Sequence, residues 1–192
     1  KMMRGNKGIT IGDNQYPAAI FTVWTESERN AIGIYTIEID ETNRKNEEYY
    51  INTDITYTYD SSAKKVKGTY GTATAKAHAD TKWTQSELDA GNAPEGADTN
   101  TVKTEGLKTI LIRVIKSQVK SILNETDWYV TRKAEKSTAI PSAITTHRDA
   151  VRTKQAAMET AITNAADTAA IETLYTRDSN GDRPLGDLPT LE

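Results

Sequence analysis

Few residues of this chain combine the type and spacing that chemistry requires. His78 and His147 are its only histidines, and no HxxxH or HExxH spacing is present, so no histidine metal site is expected. His147 falls on the apolar stripe of a helix and reads as a packing residue. Asp178-Ser179-Asn180-Gly181-Asp182 begins like a calcium loop, but its glycine comes too early and Pro189 stands where the bidentate Glu belongs. It reads as a solvated turn. Gly5-Asn6-Lys7-Gly8 lacks the Gly-Lys-Ser/Thr ending of a phosphate loop. Asn124-Glu125-Thr126 has the form of a glycosylation acceptor, discounted without a secretory context. No nucleophile elbow or paired-acid motif is present. The sequence therefore offers no catalytic residue, no metal ligand set and no cofactor site, and no enzymatic activity is expected.

One constellation remains, formed by Asp127, Trp128, Arg148 and Arg152. The two arginines lie four apart and share a helix flank, where like charges cost a few tenths of a kcal/mol unless an anion sits between them. Asp127, at the start of the preceding short helix, is the expected carboxylate. A bidentate Arg–Asp clasp would lock the helix connection, with Trp128 as an apolar anchor beneath it.

The elements that carry these residues follow from periodicity. Leu107, Ile110, Leu111, Val114, Ile115, Val119, Ile122 and Leu123 recur at helical spacing. Thr126 or Asp127 caps a short helix. Pro141 opens a further helix of about six turns, with Ile144, His147, Val151, Met158 and Ile162 on one face. Asp167 caps a last short helix through Tyr175. Towards the N-terminus, Gly8–Asp13 reads as a β segment ending in a turn. Thr25 with Glu28 has the form of a capping box, and Gly33 ends that helix. Residues 34–39 alternate like a half-buried strand. Ile55–Tyr59 and Lys65–Ala73 flank turn-forming residues and predict a hairpin with a four- or five-residue loop. Tyr57, Tyr59 and Tyr70 are placed for cross-strand pairs, each worth about 0.2–1 kcal/mol.

These readings give an α+β chain: a small antiparallel β-rich region over 1–88, a polar linker over 89–104, a helical hairpin over 105–175 and an extended segment over 176–192. The expected contact surfaces are Tyr49, Tyr57, Tyr59 and Tyr70 in the β region and Leu185, Leu188 and Leu191 at the C-terminal end.

Composition excludes further classes. The chain has 192 residues, 36% hydrophobic and 27% charged, with a net charge of −3. A slightly acidic balance argues against nucleic-acid binding, which needs a basic face. No window approaches the ~18 apolar residues of a membrane span. The start Lys1-Met2-Met3-Arg4-Gly5-Asn6 has no apolar h-region, so no secretory leader is expected. Zero Cys removes disulfides, thiolate metal sites and cysteine nucleophiles together.

Leu123-Asn124-Glu125-Thr126-Asp127-Trp128-Tyr129-Val130-Thr131-Arg132, then Ile140-Pro141, then His147-Arg148-Asp149-Ala150-Val151-Arg152, resembles a segment of bacteriophage tail and tail-fibre-associated proteins, with His147 where an aromatic residue is usual. Tyr16-Pro17, then Trp24 to Arg29, then Ala31 to Tyr35, is similar to their leading segment. The resemblance covers most of residues 9–165. It implies a structural role in the tail, baseplate or tail-fibre adaptor of a virion, assembled in the host cytoplasm with other virion proteins and copies of itself in a symmetric assembly. It carries over no catalytic residues. The alternative is a tail-fibre assembly chaperone not retained in the mature particle.

Overall fold

The structure is a computed structural model that describes residues 7–191. The readings of Lys1–Asn6 and of the first half of Gly5–Gly8 lie outside the described residues. The chain is α+β, and it divides into two compact units between Thr74 and Ala75.

In the first unit, β1 (Ile9–Ile11) and β2 (Asn14–Tyr16) pair antiparallel around a turn in which Gly12 adopts a φ of +57°. A short helix, α1 (Ile20–Val23), leads to α2 (Glu26–Ala31). Thr25 and Glu28 form the expected capping box, and Gly33 follows at a φ of +82°. Next come β3 (Ile37–Asp40), the two-residue β4 (Tyr50–Ile51), β5 (Ile55–Asp60) and β6 (Lys65–Tyr70). The last two make the expected hairpin. Its loop is held by Asp60 Oδ1, which accepts from Ser62 N at 2.9 Å and Ala63 N at 3.0 Å. The main sheet has the order β3-β6-β5, with β5 antiparallel and β3 parallel to β6. The expected antiparallel pairing holds for β1 with β2 and β5 with β6, and the β3–β6 pair is parallel. Residues 41–64 carry the chain across and back, so β3 meets β6 in the same direction as it. Among the described residues, Ile20, Ile34 and Tyr49 are the buried hydrophobic residues of this unit, a thin core.

The second unit begins at Ala75, the last residue of β7 (Thr74–Ala75). It contains β8 (Thr81–Lys82), α3 (Gln85–Asp89), β9 (Val102–Thr104), α4 (Leu107–Asn124), α5 (Asp127–Lys136), α6 (Ser142–Asn164) and α7 (Thr168–Tyr175). Helix α4 packs along α6, and Ile115, Val119, Val151, Met158, Ile162 and Leu185 form its core. On α6 the expected stripe holds throughout, with Ile144, His147, Val151, Met158 and Ile162 all buried. On α4 the stripe is narrower than the spacing implied: Ile110 and Val114 face solvent.

Two boundaries differ from the sequence reading. Residues 89–104 are not a linker, and residues 75–88 do not belong with the first unit. Strands β8 and β9 pair antiparallel, so the polar stretch closes a loop. Asp98 Oδ1 accepts from Asn100 N and Thr101 N, both at 2.9 Å, which uses its polar side chains in turns. The loop is then tied to the helices. Leu107 N donates to Ala77 O at 2.9 Å, Gly106 N to Asp80 Oδ1 at 2.7 Å, and Thr168 Oγ1 to Lys76 O at 2.7 Å. The Gly106 amide is also the first cause that holds the Asp80 carboxyl below its ordinary range.

The second correction concerns residues 176–192, expected as an extended segment. Through residue 191 this stretch folds back on the helical core. Leu185 is 2% exposed inside that core, its amide donates to Leu174 O at 3.0 Å, and Leu188 packs alongside. Asp187 receives Arg177 at 2.9 Å and Arg183 at 2.8 Å. An apolar residue every few positions in a Gly/Pro-rich run lets a strap cover a helix groove without regular structure.

Candidate protein–protein interface

The three-stranded sheet sorts its residues completely by face. Register pairs Ile37 with Val66 and Ile39 with Gly68 on one side, and Tyr59 with Val66, Tyr57 with Gly68 and Ile55 with Tyr70 on the other. Directly opposed residues share a face, and successive residues alternate. One face is therefore Ile37, Ile39, Val66, Gly68, Tyr70, Ile55, Tyr57 and Tyr59, without a charge. The other carries Glu38, Asp40, Lys65, Lys67, Thr69, Thr56, Thr58 and Asp60.

The polar face is internally neutralised. Lys67 Nζ meets Asp40 at 3.0 Å, and Lys65 pairs with Glu38. Asp40 is held below the ordinary carboxylate range, first by its hydrogen bonds with Thr42 and then by Lys67.

The apolar face is partly open to solvent: Ile37, Ile55, Val66 and Tyr70 are half-buried and Gly68 is buried, while three residues are exposed. Ile39 is 42% exposed, Tyr57 41% and Tyr59 47%. Gly68 sits at its centre because there is no room for more. A Cβ there would lie 2.7 Å from Ile39 Cδ1, 2.9 Å from Ile55 Cγ2 and 3.0 Å from Tyr57 Cε1. The neighbouring side chains lean over the glycine. The Tyr35 and Tyr59 rings meet at 4.5 Å, and the hydrogen bond between them is the first cause that raises the Tyr59 phenol above its ordinary value.

Three of the four tyrosines expected at an interface, Tyr57, Tyr59 and Tyr70, thus share one face, though they do not pair with one another across the strands. Each tyrosine has a non-tyrosine partner in register. Tyr70 is half-buried, under the Arg44 guanidinium at 6.0 Å. Tyr49 is not a surface residue: it is buried in the thin core. Of the three leucines, Leu185 is core, Leu188 is partly buried, and Leu191 is exposed. The sequence reading missed Ile37, Ile39, Ile55, Val66 and Gly68 as members of the face. Their period-2 alternation and the lone strand glycine were the available signals.

The clasp takes a different form from the one expected. Arg148, on α6, is buried. Its Nη2 donates to Asp127 Oδ1 at 2.8 Å, while Nη1 donates to Leu123 O at 2.8 Å and to the Thr126 hydroxyl at 2.7 Å. The guanidinium spreads its donors over the α4–α5 connection, so the carboxylate is not gripped bidentately. Arg152 is not part of it. One helical turn beyond Arg148 the flank has rotated toward solvent, and Arg152 meets Asp149 at 3.4 Å. Trp128 is not an anchor beneath the clasp either. It is 51% exposed, stacked on Tyr129 at 3.7 Å with the Arg132 guanidinium 4.8 Å over its ring. The clasp is a structural joint.

Among the described residues no helix is long and apolar enough to cross a membrane, and no group of three or more His, Cys, Asp or Glu is arranged to hold a metal ion. Comparison with protein-family models gives no match for this chain, and neither the curated proteins nor the solved structures provide one.

Proposed function

We propose that the chain is a structural component of a bacteriophage tail apparatus, a tail, baseplate or tail-fibre adaptor that acts through protein–protein contacts and not through catalysis. The observation that carries the contact role is the uncharged, partly solvent-exposed face of the β3-β6-β5 sheet. A sheet normally buries such a face. The resemblance to tail and tail-fibre-associated proteins supplies the virion setting.

Size sets the mode of action. Three strands about 4.8 Å apart, one of four residues and two of six, present roughly 250 Å². A stable interface needs about 800 Å² per partner. One such contact is weak, so the chain would work by repetition, with many small contacts held together in one assembly. The test is protein mass spectrometry on purified particles. Recovery of the chain at a fixed stoichiometry supports the reading. Its absence from the particle, with presence in the infected lysate, replaces the reading with the assembly chaperone.

A further inference from the structure

We infer that the outer edge of β5 pairs with β5 of a second copy of this chain, antiparallel, about a two-fold axis that passes perpendicular to the sheet at Thr58. Strand β5 ends the order β3-β6-β5, and among the described residues no backbone group outside the sheet bonds to it. Every second residue of it therefore presents an outward N–H and C=O. Natural sheets guard such an edge with Lys, Pro, a bulge or inward charges. Strand β5 reads Ile-Thr-Tyr-Thr-Tyr-Asp, has no Lys or Pro, and keeps an unbroken register against β6. The opposite edge, β3, reads Ile-Glu-Ile-Asp and is guarded by two acids.

The occupant follows from the pattern of β5 itself. A two-fold normal to the sheet keeps like faces together, so the partner strand must place apolar residues opposite apolar ones. A one-residue slip sets tyrosine against threonine on the wrong faces and is barred. Of the registers that keep like faces together, two pair five residues of the strand, and the others pair three or fewer. Centring on Tyr57 opposes Asp60 with Asp54 of the second copy at both ends, a like-charge pair. Centring on Thr58 opposes Tyr57 with Tyr59 of the second copy twice, Thr58 with Thr58, and Thr56 with Asp60, with no like charges opposed. Strand β5 is thus complementary to itself in one register. The product is a six-stranded sheet whose uncharged face is continuous across the axis.

This inference rests on the reading of the sheet as a contact surface, but not on where in a particle it acts. The experiment is sedimentation velocity of the full chain over a hundredfold concentration range, with Thr58→Glu, Thr58→Lys and an equimolar mixture of the two, each checked for folding by circular dichroism. Thr58 faces Lys67 within the chain, so Glu at 58 gains a favourable partner in the monomer. In the dimer it opposes its own copy. The wild type is expected to dimerise with concentration, each single variant at least tenfold more weakly, and the mixture at wild-type strength because Glu then opposes Lys. A wild type that stays monomeric, or single variants that dimerise like the wild type, overturns the edge pairing. A monomeric chain that is nevertheless found in particles would leave the virion reading standing.

Discussion

Arg148→Ala is expected to destabilise the helical unit by about 3 kcal/mol, and the value can be worked from the geometry. The guanidinium makes three bonds, of which two reach the buried Thr126 hydroxyl and the Leu123 carbonyl. Hydrogen bonds from a charged donor contribute about 1.5–3 kcal/mol each. The lower end applies because Leu123 O keeps a second donor in Thr126 Oγ1, at 3.1 Å. The third bond ends on Asp127, whose side chain is about half exposed, so solvent screening holds it below about 1 kcal/mol. At a few degrees per kcal/mol for a chain of this size, the thermal midpoint should fall by roughly 10 °C. Asp127→Ala should cost about 1 kcal/mol, the exposed ion pair plus the helix N-terminal charge. Arg152→Ala should cost less than about 0.5 kcal/mol. The assay is thermal unfolding followed at 222 nm on the three variants. Equal losses for Arg148→Ala and Asp127→Ala would refute the reasoning, because the joint would then be an ion pair and not a backbone clamp. So would an Arg148→Ala midpoint unchanged from wild type.

Other outcomes follow from single features. Leu185→Ala should cost about 2–5 kcal/mol by opening a cavity beneath the C-terminal strap, read from the denaturant midpoint; a change under about 1 kcal/mol would mean the strap does not seal the core. Gly68→Ala should cost about 1–3 kcal/mol by overpacking against Ile39, Ile55 and Tyr57, read in the same way. Glu87 is held at about 2, against an ordinary 4.5, first by Lys103 and then by the Thr84 backbone amide. Because its folded value is depressed, its contribution is complete above about pH 4.5 and is lost as the pH falls through about 2. An NMR titration of the Glu87 carboxyl should show this midpoint, and Glu87→Gln should flatten stability against pH across that window.

Legibility in the sequence followed the range of the interactions. The capping box at Thr25, the α6 stripe and the β5–β6 hairpin depend on residues within a few positions of one another, and each was readable. The parallel pairing of β3 with β6 was not, since strand order depends on contacts between segments far apart in the chain. The same limit hid the role of residues 75–106. A run rich in Asn, Asp, Thr and Gly reads as a linker until Asp80 is seen to accept the Gly106 amide and Thr168 to reach Lys76. Arg148 was legible as half of a clasp, but one of its acceptors, the Leu123 carbonyl, belongs to the backbone and leaves no mark on residue identity. Trp128 misled for a related reason: size and apolarity imply burial, yet Arg132 and Tyr129 cover the ring well enough for it to stand at the surface.

The central claim is that the chain meets other protein through the β5 side of its sheet. Hydrogen exchange of the full chain at low and high concentration, resolved to residues 55–60 and 65–70, tests it most directly. The account predicts that the outward amides of β5 exchange slower as concentration rises, while β6, already paired on both sides, stays unchanged. Concentration-independent exchange across β5, with protection arising elsewhere in the chain, would contradict it.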